Sequence, residues 1–534
     1  MQARRKVAQT FNDLPIFSRP RPVAMYHYAT AMDIEAIKAL VLTGDGAAIS
    51  NMTHRRVVES SQFAIPAILE RCPSGPGPAE GIDEAILREA IELLEFCYKY
   101  NQVDFSFRLA DKGQWQLFVA KRDPRITFAY ADPSAEAAGT AHRARELEIL
   151  LSGEGLALDL EAPSGLLKEL RNRMRGRVTT VGRRAQYMPE KEDYLLIHKL
   201  GAELAKAVPV EMDEKVAVDD ISFGEMRRYW GALFGLTNFH FAVQQVASNG
   251  DFWRWPLDTM VLLGSINEFS DRISLVSGLS SKAAKKVTIW YLYDQSISRG
   301  CPILQPLLLL WHDTVCLPML YVNGNNFERN FFKLVRRHPC LIPFAGAVEE
   351  TKEPIALTDL EALFPSDKYH TRKRIQIPGR TDADFVAYES STGVVLVMQH
   401  KWLTPPDTSE ESGGNDAKLA AGVRQSVTAR DAFRANPESL RVALGLSSPD
   451  EIRQIEAVTI CRGLESTEFA GNTAVPVIAE LSFRALLLQA RDLRALWADL
   501  NSRPDRGRAK TRVKDSVWKM ELAGYEFVFP GLEY

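Results

Sequence analysis

Apolar residues recur every three to four positions along 30–72 and 83–100, and this spacing predicts amphipathic helices separated by the breaker-rich stretch 73–81. The period then changes. Segments 115–120 and 125–130 are rich in aromatic and β-branched residues, with Lys112-Gly113 as a turn signal ahead of them, so a small β-sheet is expected there. From 141 to about 340 helical spacing returns, most clearly over 191–207, 223–248 and 325–338, which predicts an α-helical domain. The apolar run 302–322 contains Pro306, His312, Asp313 and Pro318, too many costly or helix-breaking residues for a membrane span, and reads as core. A second change follows Pro343: a polar stretch over 349–354, a short helix over 359–364, then strand-like segments. No internal repeat is evident. The pattern divides the chain into 1–140, helical with a small β-sheet; 141–345, α-helical; and 346–534, α/β with a mixed central sheet. The fold class expected is therefore multidomain α+β.

The C-terminal part holds the most informative stretch, 374–402. Two strand-like runs, 384–388 and 394–401, flank Glu389-Ser390-Ser391-Thr392-Gly393, the composition of a hairpin loop. Period-two alternation puts Gln399 and Lys401 on one face with Val395 and Val397, and Met398 and His400 on the other. With Thr392-Gly393 as a two-residue turn, Asp384 faces Lys401 across the ladder and Gln399 lies diagonally beside it. A register one residue away would put Asp384 on the face of His400 instead, and the pattern alone admits both. A carboxylate, an amide oxygen and an ammonium at one point can hold Mg²⁺ or Mn²⁺ and stabilise developing charge on a phosphodiester.

With Asp384 on one strand and Gln399-His400-Lys401 on the next, the segment resembles the PD-(D/E)xK, or restriction-endonuclease-like, nuclease superfamily. It is most similar to the QxK version of Mrr-type restriction nucleases. The resemblance covers residues 350–500 only. It implies a restriction-endonuclease-like C-terminal domain in which Asp384 and Gln399 hold the metal and Lys401 joins them in catalysis. It also implies a glutamate on the helix before the hairpin, for which Glu361 is the candidate and Glu328 the rival. A helix after the QxK strand, 418–433, would offer Lys418 and Gln425 to phosphate or to the site. Two positions depart from the family pattern: Ala383 stands where a proline is usual, and Gln399 replaces the commoner acid. An amide is a weaker ligand for a hard cation than a carboxylate, so Asp382, on the Asp384 face, enters as a further candidate.

Charge changes the picture only locally, because the formal net charge is just −3. Arg372, Lys373, Arg374 and Arg380 flank the site and are candidates for nucleic-acid binding. Other basic clusters are Arg503 to Lys514 and Lys168 to Arg184, although charge runs are commonly solvated faces. The stretch 404–416 is acidic and carries Pro and Gly, which reads as a flexible loop, either gating the site or a tolerated insertion. The six cysteines include no CxxC pair and suit reduced thiols in a cytoplasmic protein. Cys301, Cys316, His338 and Cys340 lack usual zinc spacing, so buried free thiols explain them better. The basic start, 1–7, precedes no apolar core of a signal peptide. Walker A, GxGxxG, GxSxG and HExxH motifs are missing from the sequence, and a DNA-translocating motor would need a partner chain. The function expected is a metal-dependent endonuclease acting on DNA in preference to RNA, in restriction or anti-phage defence, with a partner protein or a second copy and no membrane. The alternatives are a nuclease-fold protein that binds nucleic acid or a partner without turnover, and a helical scaffold whose C-terminal domain is structural.

Overall fold

Helical periodicity becomes helices in a computed structural model: Arg21–Thr43, Gly46–Arg71, Glu84–Asp111, Lys191–Lys206, Phe223–Ala247 and Phe327–Arg337, the first beginning before the expected 30 and the third running past the expected 100. The described residues are 2–533 without 44–45, 78–80, 114, 120–123, 132–160, 207–211, 252–253, 299–300, 324, 326, 378–380, 404–408, 463–472 and 502–513. The chain divides into two units. One comprises Met1–Phe105, Leu158–Val348 and Met520–Glu526; the other comprises Ser106–Ala157, Glu349–Lys519 and Phe527–Tyr534.

In the first unit the long helix Phe223–Ala247 starts at a capping box, in which Ser222 accepts from the Glu225 amide and Glu225 returns a bond to the Ser222 amide. It crosses Lys191–Lys206 closely because Gly201 and Gly235 carry no side chain there: a Cβ on Gly201 would fall 1.9 Å from the Gly231 carbonyl oxygen. Trp230 of that helix packs against Phe327 and Phe331, and its indole N–H donates to the Tyr291 hydroxyl at 2.8 Å. The expectation of a purely helical domain is corrected here. The apolar run 302–322 supplies strands Leu308–Trp311 and Thr314–Leu317, which join Leu262–Ser265 in a three-stranded antiparallel sheet. Strands of four residues are too short for a period to declare itself. No described helix is long and apolar enough to cross a membrane.

The basic run of the first unit serves the fold. Arg173 and Arg177 pair with Asp193 and Glu190, and Arg183 pairs with Glu84 and Asp258. Cys301 and Cys316 are buried free thiols, whereas Cys340 is exposed.

The second unit is built on a five-stranded mixed sheet of β1 (Tyr369–Ile377), β2 (Thr381–Glu389), β3 (Val394–Trp402), β4 (Gln454–Arg462) and β5 (Val477–Ala479), in that order. β1, β2 and β3 are antiparallel to their neighbours; β4 runs parallel to β3 and β5 parallel to β4. The helices are α1 (Ala345–Glu361), α2 (Ser409–Ala435), α3 (Pro437–Leu444), α4 (Glu480–Gln489) and α5 (Leu493–Asn501). One core layer puts Leu419, Val423 and Phe433 of α2 against Val395 and Val397. The other puts Leu357 and Leu360 of α1 and Phe483 of α4 against Leu396 and Met398. Burial on both faces explains the near-continuous apolar run of β3. Strands Trp115–Val119 and Arg125–Tyr130, close to the segments expected, belong to a four-stranded sheet with Tyr525–Glu533 and Lys514–Leu522.

Two local expectations are corrected. The polar stretch 349–354 lies within α1, with Pro354 inside the helix. The acidic stretch from Ser409 to Asp416 is the first part of α2, and 404–408 lies outside the described residues. In both cases breaker residues suggested loop while burial of the rest of the helix prevailed.

The hairpin loop is longer than a two-residue turn. Glu389 pairs with Val394, so four residues, Ser390 to Gly393, connect the strands, and the Gly393 N–H donates to the Glu389 carbonyl at 2.9 Å. Gly393 has φ +68°, and a Cβ there would stand 2.8 Å from the Glu451 carbonyl oxygen. Gly393→Ala is therefore expected to destabilise the second unit by about 1–3 kcal/mol, read as a lowered denaturation midpoint.

Candidate active site

The register follows from the loop. Phe385 pairs with Met398 in the last pair of the β2–β3 ladder, and Asp384 and Gln399 are the next residues beyond it on their strands. The sequence pattern expected Asp384 opposite Lys401; the ladder is offset from that by two residues, which leaves the β3 side chains on their faces. Gln399 and Lys401 lie on the α2 side: a Cβ on Gly422 of α2 would come within 3.0 Å of Lys401 Cγ and Cε.

Asp384 is 6% exposed and accepts a 2.7 Å hydrogen bond from the His400 backbone N–H at Oδ2. Burial raises its carboxyl to about 6, against the pull of the Lys401 ammonium and the His400 amide, and the nearby acids Asp382 and Glu353 push it further upward. Those influences bring Lys401, Asp382 and Glu353 into the electrostatic neighbourhood of Asp384. Gln399 is 1% exposed, and its Oε1 has no hydrogen-bond partner among the described residues. An unsatisfied buried acceptor costs about 1–3 kcal/mol, which a donor or a cation at that point would relieve. Gln425, one helical turn beyond Gly422, likewise carries an Oε1 that is buried without a partner.

The helix glutamates fall differently from expectation. Glu361 is exposed and binds Lys373 at 2.7 Å. Glu328 belongs to the first unit, where it is buried against Arg227 at 2.8 Å. The α1 acid that bears on Asp384 is Glu353, held by Arg374 Nε at 3.0 Å. Sequence reading missed it because Glu353 precedes Pro354, which reads as a helix boundary.

Of the other candidates, Arg372 and Arg374 are exposed and Lys373 half-buried on β1, an edge strand of this sheet. Charges on an edge strand also discourage intermolecular strand pairing. Lys418 is exposed on α2, and Arg380 lies outside the described residues.

A divalent cation fits the donor types in part. The orphaned Gln399 oxygen and the desolvated Asp384 carboxylate are hard oxygen donors. Among the described residues, however, no three His, Cys, Asp or Glu side chains converge as a ready cation cage. Gly422→Ala tests the Lys401 position. The added methyl crowds Lys401 while alanine favours the helix by about 1 kcal/mol, so the fold is expected to hold. Displacement of the Lys401 side chain is expected, read as shifted NMR resonances of its methylenes with the denaturation midpoint close to that of wild type.

No family model, curated protein or solved structure matches this chain.

Proposed function

We propose that this chain is a divalent-metal-dependent endonuclease with a restriction-endonuclease-like second unit, acting on DNA in preference to RNA. One observation carries the reading: a buried, partnerless Gln399 oxygen stands on the strand beside a desolvated Asp384, with Lys401 near enough to draw that carboxyl down. The element order, α1, three antiparallel strands, α2 and a parallel strand, supports it by supplying a helix on each side of the hairpin.

Asp384 and Gln399 would hold Mg²⁺ or Mn²⁺, with Glu353 or Asp382 as the further oxygen donor in place of Glu361. The ion, when bound, supplies Lewis-acid neutralisation of the phosphate. Lys401 orients the attacking water by hydrogen bonding and stabilises charge growing on the phosphate oxygens. Arg372 on β1 and Lys418 on α2 are the exposed cations for backbone phosphates. The first unit then recognises substrate, a trigger or a partner, and restriction or anti-phage defence is the setting we favour.

That no three His, Cys, Asp or Glu side chains cluster among the described residues favours a second reading, a nuclease-fold protein that binds nucleic acid without cutting it. Incubating the purified chain with plasmid, linear and single-stranded DNA and with RNA, in Mg²⁺, Mn²⁺ or EDTA, separates the two. Cleavage abolished by EDTA is expected; retention of nucleic acid without any product would favour the second reading.

A further inference from the structure

His400, the middle residue of the QxK triplet, points away from Gln399 and Lys401 yet touches Asp384 through its backbone. Its amide donates to Asp384 Oδ2 at 2.7 Å, while its imidazole Nε2 lies 3.0 Å from Glu480 Oε2 on the opposite face of the sheet. Glu480 is the first residue of α4, where the helix dipole favours an anion. Arg462, at the end of β4, grips both Glu480 oxygens at 2.7 and 2.6 Å and reaches Asp359 of α1 at 2.6 Å. Its guanidinium also stacks on the Trp402 ring with 4.6 Å to the centroid. Although burial alone would push the Glu480 carboxyl up, hydrogen bonds from His400 and Arg462 bring it down to about 2, so it is ionised at every working pH.

This network joins α1, β3, β4 and α4 directly behind the hairpin rung that presents Asp384. Buried ion networks of this kind add little net stability compared with apolar packing, and their use is to hold geometry. The rung needs such a hold. The β2–β3 ladder ends at Phe385 with Met398, and beyond it the His400 amide is taken by the Asp384 side chain.

We propose that His400 is a positioning residue, clamped by Glu480 and Arg462 so that its backbone N–H fixes the Asp384 carboxylate beside Gln399. The proposal deepens the phosphodiesterase reading and rests on it for its functional meaning, but its geometric content can be tested without cleavage. His400→Leu keeps the volume and loses the bond to Glu480, which stays paired with Arg462. His400→Gln restores an N–H near the position of Nε2.

The decisive measurement is hydrogen exchange of the residue-400 backbone amide in the full chain without metal, followed by NMR, because that N–H is the one donated to Asp384. In His400→Leu its protection should fall about tenfold, and His400→Gln should return it most of the way. On plasmid DNA with Mg²⁺, kcat should fall about tenfold in His400→Leu with KM nearly unchanged, and recover in His400→Gln. Protection unchanged in His400→Leu, or lost equally in both variants, overturns the proposal. If protection falls and recovers but wild type cuts nothing, the positioning role stands and the nuclease reading alone falls.

Discussion

Lys401→Ala is expected to lower metal-dependent cleavage by about a thousandfold at neutral pH while the protein stays folded. Two effects act in the same direction. Removing a cation aimed at developing charge costs about 10²–10³ in turnover in comparable sites. Lys401 also draws down the Asp384 carboxyl, so its loss leaves burial opposed chiefly by the His400 amide and raises Asp384 further. The residual activity of the variant should therefore climb to a higher pH than that of wild type. Lys401→Arg should rescue little, because a planar guanidinium does not occupy the slot beneath Gly422 as a slim ammonium chain does. Initial rates of plasmid nicking across pH, with thermal unfolding as a control for folding, measure both. Equal product from wild type and Lys401→Ala would end the enzymatic reading.

The second large effect is on pH. Burial first, with Asp382 and Glu353 adding to it, holds the Asp384 carboxyl at about 6. At limiting metal, cleavage should rise about tenfold per pH unit up to that value and flatten above it, because metal binding needs the carboxylate. Saturating Mg²⁺ competes with the proton and should move the midpoint lower.

Stability should follow the opposite course. A carboxyl with a raised folded-state value binds its proton more tightly folded than unfolded. The stability it contributes is present below the unfolded value and is lost as pH rises from about 4 through about 6. Above that window the buried charge costs on the order of 2–3 kcal/mol. Asp384→Asn keeps an acceptor for the His400 amide and removes the charge. It should raise the thermal midpoint at pH 8, leave it unchanged near pH 3.5, and abolish cleavage. A variant less stable than wild type at pH 8 would show that Lys401 more than compensates the burial of Asp384. Greater stability with lost activity is the expected signature of a strained functional group.

Much of the site is legible in the residues because strand alternation is a local property. Val395, Val397, Gln399 and Lys401 share a face in any register that shifts by an even number, so an incorrect loop length left the grouping of Gln399 and Lys401 intact. The loop itself was harder to read. Glu389 accepts from Thr392 and from the amide of Leu493, at the start of α5, at 2.8 Å each. A partner more than a hundred residues away thus favours four loop residues over two.

Alternation also fails at one rung. Ala383 packs with Val386 and Tyr388 in one core layer while Phe385 and Ala387 pack in the other. The switch falls at Asp384, opposite Arg374, which has φ +53°. A left-handed arginine in a strand is costly, and nothing in the local residue pattern announces it.

By itself, then, the sequence determined the helical first half, the hairpin, the face shared by Gln399 and Lys401, and the types of group available for phosphodiester chemistry. All of these follow from the periods of helix and strand and from side-chain composition, which act over a few residues. Only the tertiary structure decided that the β2–β3 ladder ends at Phe385 and Met398, that Glu353 is the α1 acid bearing on Asp384, and that Glu480 and Arg462 brace His400 from behind. Those outcomes depend on pairings between β3 and β4, and between α1, α4 and the sheet. They are selected by burial of the two core layers across dozens to a hundred residues, a range at which no local period carries information.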